Sequence, residues 1–264
     1  MNAHAVSDST TMLRRSLRRM RRYPSLTFFV AAMPVLFLVV FVWVLGGAMG
    51  AGLGTAQGAR DAYLAYVMPG ILVLTVVGTT VGTAISVAMD MSNGIIARFR
   101  TMAISRGSVL AGHVLGSVIQ VLLAGAIVLV IAVIMGFRPT TAPTAWLAAL
   151  GLLVLVSVAV SWLSVGMGLV TDSVETASNL PQVFLLLFFL SSAFVPTATL
   201  PEPLRTFAMY QPFTPIVETV RGLLFGTDIG TYGVQAIVWC VALAAIGYLW
   251  SIRLYGRDFH PRAV

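Results

Sequence analysis

Residues 64–89 read LAYVMPGILVLTVVGTTVGTAISVAM and contain no Asp, Glu, Lys, Arg or His. A helix needs about 20 apolar residues to cross the hydrocarbon core of a bilayer, which is roughly 30 Å thick. The stretch meets that length, and it lacks the apolar–polar alternation of a membrane β-barrel strand. It therefore predicts a transmembrane helix, in which every backbone N–H and C=O group can be paired inside the lipid.

The same pattern recurs on both sides of this stretch. The first apolar run is about twice as long as the roughly 10-residue core of a signal peptide, so we interpret it as a retained span. The fold class predicted is an all-α integral membrane protein with six transmembrane helices, of which the fifth is the shortest. They are expected at 25–45, 64–89, 113–135, 146–170, 181–195 and 234–252.

Composition supports one membrane domain. Hydrophobic residues make up 58% of the chain and charged residues 9%, against about 25% charged residues in soluble domains. Residues 1–10 are expected to be a disordered tail, and residues 11–264 a single transmembrane domain. The net charge of +7 does not indicate nucleic-acid binding. That function needs a basic face on a folded soluble domain, and the sequence leaves no room for one.

The arginines predict the orientation in the membrane. Twelve lie before the first span, after the second or after the last, and four lie on the opposite side, at Arg60, Arg138, Arg205 and Arg221. Positive residues favour the cytoplasmic side. We therefore expect a multi-pass protein of the plasma membrane with both termini in the cytoplasm.

Two basic segments are expected on that side. In 11–23, Leu13, Leu17 and Met20 share one helical face, which predicts an amphipathic helix in the membrane interface; a plain positive anchor is the alternative. Its arginines are Arg14, Arg15, Arg18, Arg19, Arg21 and Arg22.

The second basic segment is 93–106, in which Ile95, Phe99 and Met102 repeat at i, i+4 and i+7. This spacing predicts a short helix that docks on a partner, or alternatively a second interface helix. The residues expected to bind that partner are Ile95, Arg98, Phe99, Arg100, Met102 and Arg106. In the next break on this side, 171–179, Asp172 or Asn179 is expected to cap the following helix.

The segment 196–226 is expected on the opposite side of the membrane. It is rich in proline, and its apolar pieces are too short to cross. Irregular backbone survives near membrane depth only where protein or a water-filled cavity surrounds it. We therefore predict a re-entrant helical hairpin whose candidate gate residues are Pro212, Pro215, Glu218 and Arg221. Glu218 and Arg221 lie between Pro215 and Gly226 and can pair at i, i+3. A surface loop with a solvated ion pair is the alternative.

Several kinds of chemistry are missing. The chain has no lysine, so it cannot hold a P-loop, and we do not expect it to be an enzyme. The histidines and the single Cys240 show no metal-binding spacing, and no metal or cofactor is expected in this chain. No acidic residue lies at mid-span, which disfavours an ion-coupled carrier.

Four motifs are similar to those of the membrane subunits of type-2 ABC exporters, most of all the daunorubicin-resistance permease group. They are Tyr66-Val67-Met68-Pro69-Gly70-Ile71-Leu72 in the second span, the break Asn93-Gly94-Ile95-Ile96-Ala97-Arg98-Phe99-Arg100-Thr101-Met102, Ser191-Ser192-Ala193-Phe194-Val195-Pro196, and Gln211-Pro212-Phe213-Thr214-Pro215 with Glu218 and Arg221-Gly222. Ala103 departs from the proline expected after the Thr-Met pair.

The resemblance implies a permease that works as a dimer, homo- or heteromeric, with two separate ATPase subunits that bind ATP and Mg. It implies that 93–106 is the coupling helix contacted by the ATPase, and that 196–226 closes the outer gate. The expected substrate is amphiphilic, such as a drug, a lipid or a glycolipid. The alternatives are a secondary carrier or channel-like protein that needs no ATPase, and a non-transporting assembly subunit.

Overall fold

The computed structural model describes residue 14 and residues 24–52, 58–96, 106–139 and 141–256. Its long elements are helical and apolar. The first, α1 (Pro24–Val40), continues through a π-helical turn (Phe41–Leu45) into α2 (Gly46–Gly52). The others are α3 (Ala59–Ser92), α4 (Arg106–Ile134), α5 (Pro143–Val170) and α10 (Tyr232–Gly256).

The helical, multi-span class is confirmed for this part of the chain. Five segments of the described residues are long and apolar enough to cross a membrane. They are Val30–Ala48, Ala59–Ser92, Gly107–Ile134, Pro143–Val170 and Tyr232–Gly256. They match five of the six predicted spans, and most run a few residues longer because the helices continue beyond the apolar run.

The chain between α5 and α10 is made of short elements. They are α6 (Val174–Asn179), α7 (Gln182–Phe189), a 3₁₀ turn (Thr197–Thr199), α8 (Leu204–Tyr210) and α9 (Phe213–Phe225). The predicted fifth span, 181–195, is helical only over α7, and turns and bends follow it. At about 1.5 Å per residue, α7 alone is far too short to cross a bilayer. The six-span count therefore stays a prediction.

One predicted helix cap is wrong. The N-cap of α6 is Ser173, whose hydroxyl accepts a hydrogen bond from the Thr176 N–H. Asn179 is the last residue of α6, and Asp172 precedes the cap. Serine and aspartate are about equally good caps, so the sequence alone could not separate these neighbours. Glu175 lies in the exposed first turn, and a bond from its own backbone N–H lowers the pKa of its carboxyl group, with help from the Ser173 hydroxyl.

Helix α3 is the central helix, and it is buried along most of its length. Small residues let its neighbours approach closely. A Cβ added to Gly168 of α5 would lie 2.5 Å from the Ala84 carbonyl oxygen of α3. Similarly, Gly247 of α10 lies against the Leu163 N–H of α5. These contacts hold α3, α5 and α10 together.

The helix bundle has two ends, which we name after His113 and Arg221. The His113 end contains the end of α3, the start of α4 and the end of α10, which share a buried apolar cluster. The Arg221 end contains the start of α3 and the C-terminal half of α9. There Phe137 packs edge-on against Phe225, and the Thr141 hydroxyl donates to the Leu224 carbonyl.

Candidate functional site: the Arg221 cluster and the His113 end

Helix α9 brings Glu218 and Arg221 together. Since they lie one turn apart on the same helix face, Arg221 Nη1 donates to Glu218 Oε1 at 2.5 Å. The side chain of Arg221 is 13% exposed and that of Glu218 is 25% exposed. The pair is therefore partly withdrawn from solvent and is not a fully solvated ion pair of a surface loop.

Arg221 also joins α9 to two other elements. Its Nη2 donates to the Tyr66 carbonyl at 3.2 Å and to the Ser192 carbonyl at 3.0 Å. The Tyr66 hydroxyl donates to the same Ser192 carbonyl at 3.0 Å, and the guanidinium lies 4.0 Å from the centre of the Tyr66 ring. We call Tyr66, Ser192, Glu218 and Arg221 the Arg221 cluster. One cation thus links α3, the turn after α7, and α9.

A second junction lies beside this cluster. The Thr214 hydroxyl donates to the Ala208 carbonyl at 2.6 Å. It accepts the Ser192 N–H and the Gln211 side-chain amide, each at 3.3 Å. The Phe213 N–H donates to Gln211 Oε1 at 3.1 Å. Thr214 therefore joins α8, the start of α9 and the turn after α7.

Tight packing holds the turn after α7 against α3. A Cβ added to Gly70 would lie 2.8 Å from both the Cβ and the carbonyl oxygen of Ala193. The Tyr63 hydroxyl donates to the Phe194 carbonyl at 3.3 Å. Phe194 packs in turn on the rings of Phe41, Phe188 and Phe189. The backbone carbonyls that Arg221 and the tyrosines bind are thus fixed in place by aromatic packing.

The two predicted prolines mark the start of α9. Pro212 is its N-cap residue and Pro215 lies in its first turn. The first four N–H groups of a helix have no partner within the helix, so a proline there loses no hydrogen bond. The Pro215 carbonyl accepts the Thr219 hydroxyl at 2.7 Å.

Sequence reasoning missed Tyr66, Ser192 and Thr214 as partners of this site. Each lies in one of the motifs that carry the family resemblance. The signal was a polar side chain inside an otherwise apolar motif. In the structure two of these motifs are in contact, because the Ser192 N–H donates to the Thr214 hydroxyl.

Of the predicted partner-binding residues, the structure describes Ile95 and Arg106, at the His113 end. Ile95 and Ile96 are helical and follow the turn at Asn93 and Gly94 that ends α3; Ile95 is half-buried, and Ile96 is buried in the apolar cluster. Arg106 begins α4. Arg98, Phe99, Arg100 and Met102 lie outside the described residues. Arg14 is exposed, and the five other arginines of the predicted interface helix, Arg15, Arg18, Arg19, Arg21 and Arg22, are also outside the described part.

A buried pair of polar residues lies at the same end. His113 Nε2 is 3.3 Å from Asp90 Oδ2, and their side chains are 12% and 7% exposed. Sequence reasoning did not pair these two residues. Within the described ranges, no three His, Cys, Asp or Glu side chains come together in a group that could hold a metal ion.

Long apolar helices packed around a central helix, with charged residues buried near each end, define a multi-pass membrane protein. Comparison with known proteins identifies the family. The model of the ABC-2 type transporter family matches residues 8–225, and the chain belongs to that family.

Two relatives with assigned names resemble nearly the whole chain. The daunorubicin resistance ABC transporter permease protein DrrB1 of Streptomyces coeruleorubidus is 30% identical over 260 residues, which cover 96% of this chain and 87% of that protein. The probable doxorubicin resistance ABC transporter permease protein DrrC of Mycobacterium tuberculosis is 25% identical over 250 residues, covering 92% and 88%. These relatives are membrane permease subunits, and permeases of this family work with a partner ATPase, generally as dimers.

Proposed function

We propose that this chain is the membrane permease of an ATP-driven exporter that moves an amphiphilic substrate out of the cytoplasm or the inner leaflet. The family match over residues 8–225 is the observation that carries the proposal. Because the chain has no lysine, and hence no P-loop, ATP and Mg are bound by separate ATPase subunits. Two permeases, identical or related, form the pathway.

The orientation follows from charge. Twelve of the sixteen arginines lie before the first span, between α3 and the first residue of α4, or in and after the last turn of α10. With those segments in the cytoplasm, the His113 end faces the ATPase and the Arg221 end faces outward. The connection between α3 and α4 then acts as the coupling helix, with Ile95, Phe99 and Met102 in a groove of the ATPase.

The Arg221 cluster supports an outer gate. Helices α8 and α9 are too short to span, and α9 is buried on most of its surface. Arg221 connects α9 to α3 and to the turn after α7. A re-entrant hairpin with these connections can close the outer side of the pathway as one rigid unit, and it can open when α3 is displaced.

The substrate class rests on the relatives and on the surface of the helices. The printed names of the two relatives refer to daunorubicin and doxorubicin. Helices α1, α4 and α10 expose many large apolar side chains, which suit lipid or a second permease. An apolar pathway between two permeases favours an amphiphilic drug, lipid or glycolipid over a small ion.

The proposal is tested by purifying the chain with and without a candidate ABC ATPase subunit from the same organism. The chain alone should show no ATP hydrolysis above background. The complex should co-purify and hydrolyse ATP, and amphiphilic drugs should change the hydrolysis rate. Turnover by the clean isolated chain, or failure of any ATPase to bind it, would contradict the proposal.

A further inference from the structure

The Asp90–His113 pair ties together the two helices that flank the predicted coupling helix. Asp90 lies in the last turn of α3, which ends at Ser92, and His113 lies in the second turn of α4, which begins at Arg106. Their side chains approach to 3.3 Å between Nε2 and Oδ2. The predicted coupling helix lies between these two residues in sequence.

Asp90 and His113 stand in otherwise apolar stretches of sequence. Residues 62–89 contain no Asp, Glu, Lys, Arg or His, and His113 is the only such residue in 107–137. Asp90 is 5% exposed. A buried carboxylate is costly, and it persists where a partner compensates it and a role retains it.

A glycine lies near each end of the connection, and we call these two positions its joints. Gly94, directly after the last turn of α3, has a φ of +66° and open space around its Cα. Gly107 lies in the first turn of α4. Since glycine moves easily between backbone conformations, a push on the connection could be absorbed at these joints without moving either helix.

The Asp90–His113 pair connects α3 and α4 directly, without the two glycines. It lies beside a buried cluster in which Val87 of α3 packs with Val109, Leu110 and Val114 of α4. Ile96, beyond the Gly94 joint, is 3% exposed and belongs to the same cluster. Trp162, Val165 and Leu169 of α5 and Leu254 and Tyr255 of α10 complete it. A displacement at Ile96 therefore reaches the ends of both helices.

We propose that Asp90 and His113 are positioning residues for energy coupling, which clamp α3 to α4 so that movement of the 93–105 connection displaces both helices together. This inference rests on the proposed function. Neither residue contacts nucleotide or substrate. The clamp determines how much of each ATPase closure reaches α3, the helix whose Tyr66 lies in the Arg221 cluster at its other end.

The clamp itself is tested on the full-length chain in lipid nanodiscs by amide hydrogen exchange. Asp90→Ala and His113→Phe should each speed exchange in peptides covering 91–110 by about tenfold, because the pair no longer opposes local opening. His113→Gln keeps an N–H donor at similar reach and should stay within about twofold of the unmodified chain. Ser92→Ala is the matched control, since the exposed Ser92 hydroxyl donates to the Met89 carbonyl of its own helix.

The coupling role is tested in the complex with the ATPase. Asp90→Ala and His113→Phe should keep complex yield and ATP hydrolysis but lower transport per ATP by about tenfold. The double variant should be no worse than the poorer single variant. His113→Gln and Ser92→Ala should transport normally.

Each outcome decides one claim. Unchanged exchange in both breaking variants would overturn the clamp. Faster exchange with unchanged transport per ATP would overturn the coupling role, as would a loss of transport that only follows a loss of complex. If the unmodified complex shows no ATP-dependent transport, the proposed function fails, and the exchange experiment still decides whether the clamp exists.

Discussion

Arg221 is the residue at which three elements of the Arg221 end meet. Its guanidinium serves a carboxylate on its own helix and two backbone carbonyls on other elements. Within the described part of the chain, its Nε atom is buried without a hydrogen-bond partner. The Nε–H is thus the part of the guanidinium that the described residues leave unpaired.

Removing either member of the Glu218–Arg221 pair should damage the gate. Glu218→Gln and Arg221→Gln each leave a partly buried charge without its partner, at a cost of about 3 kcal/mol. Each variant should lose export, or leak a small dye inward, while expression and ATPase binding are retained. The double variant should be less damaged than the sum of the singles, because the two residues pair with each other.

Glu202→Gln is the control for this cycle, since it makes the same change at an exposed carboxylate that bonds locally to Thr206. Wild-type export in both single variants would contradict the gate. Additive damage would show that each residue depends mainly on another partner.

The contact of Gly70 with Ala193 gives a second prediction at this scale. Gly70→Ala places a methyl group 2.8 Å from the Ala193 carbonyl oxygen, and overpacking of this kind costs about 1–3 kcal/mol. The variant should lower the thermal midpoint of the purified protein and reduce export. Gly78→Ala on the same helix meets nothing within 4 Å and should be neutral or slightly stabilising. Equal midpoints in the two variants would show that the close approach does not matter.

At the scale of elements, the long helices could be predicted from the sequence and the short ones could not. Hydrophobic length alone identified the five long apolar segments, because the solvent allows few other structures. Helix α7 lies in an equally apolar run, and its end at Phe189 depends on Thr214 and Gly70 holding the following turn. Such long-range contacts leave no periodic signal in the sequence.

In the candidate site, too, the local contact could be predicted from the sequence and the long-range contacts could not. The i, i+3 spacing predicted that Glu218 could reach Arg221, and the structure brings them together. The contacts to Tyr66 and Ser192 span more than a hundred and about thirty positions in sequence, so local spacing could not predict them. The pairing of Asp90 with His113 was missed for the same reason.

The coupling helix gives a prediction at the element scale. Phe99 shares an apolar row with Ile95 and Met102, so Phe99→Ala should remove a contact worth about 2–4 kcal/mol and weaken ATPase binding by about 30-fold or more. Co-purification should fall while membrane insertion is unchanged. Arg98→Ala, the neighbouring control, should have a smaller effect. Normal complex yield and export for Phe99→Ala would remove the docking role.

At the scale of the whole molecule, the distribution of the arginines gives a prediction about topology. In a chain with the buried Cys240 replaced by Ala, Ala5→Cys and Ala263→Cys should resist an impermeant thiol reagent in intact cells. Ala142→Cys, at an exposed position before α5, should react. All three should react after the membrane is permeabilised, which controls for folding. Labelling of either terminus in sealed cells would reverse the proposed orientation.

Drug uptake into inside-out membrane vesicles tests the claim of ATP-driven export most directly. Vesicles that contain this chain and its ATPase should accumulate at least one drug from a panel of amphiphilic drugs, and only with ATP and Mg. A protonophore should not stop the uptake, and replacement of the P-loop lysine in the ATPase should abolish it. Uptake by the chain alone, driven by a proton gradient and lost with Asp90→Ala, would contradict the account and identify a secondary carrier.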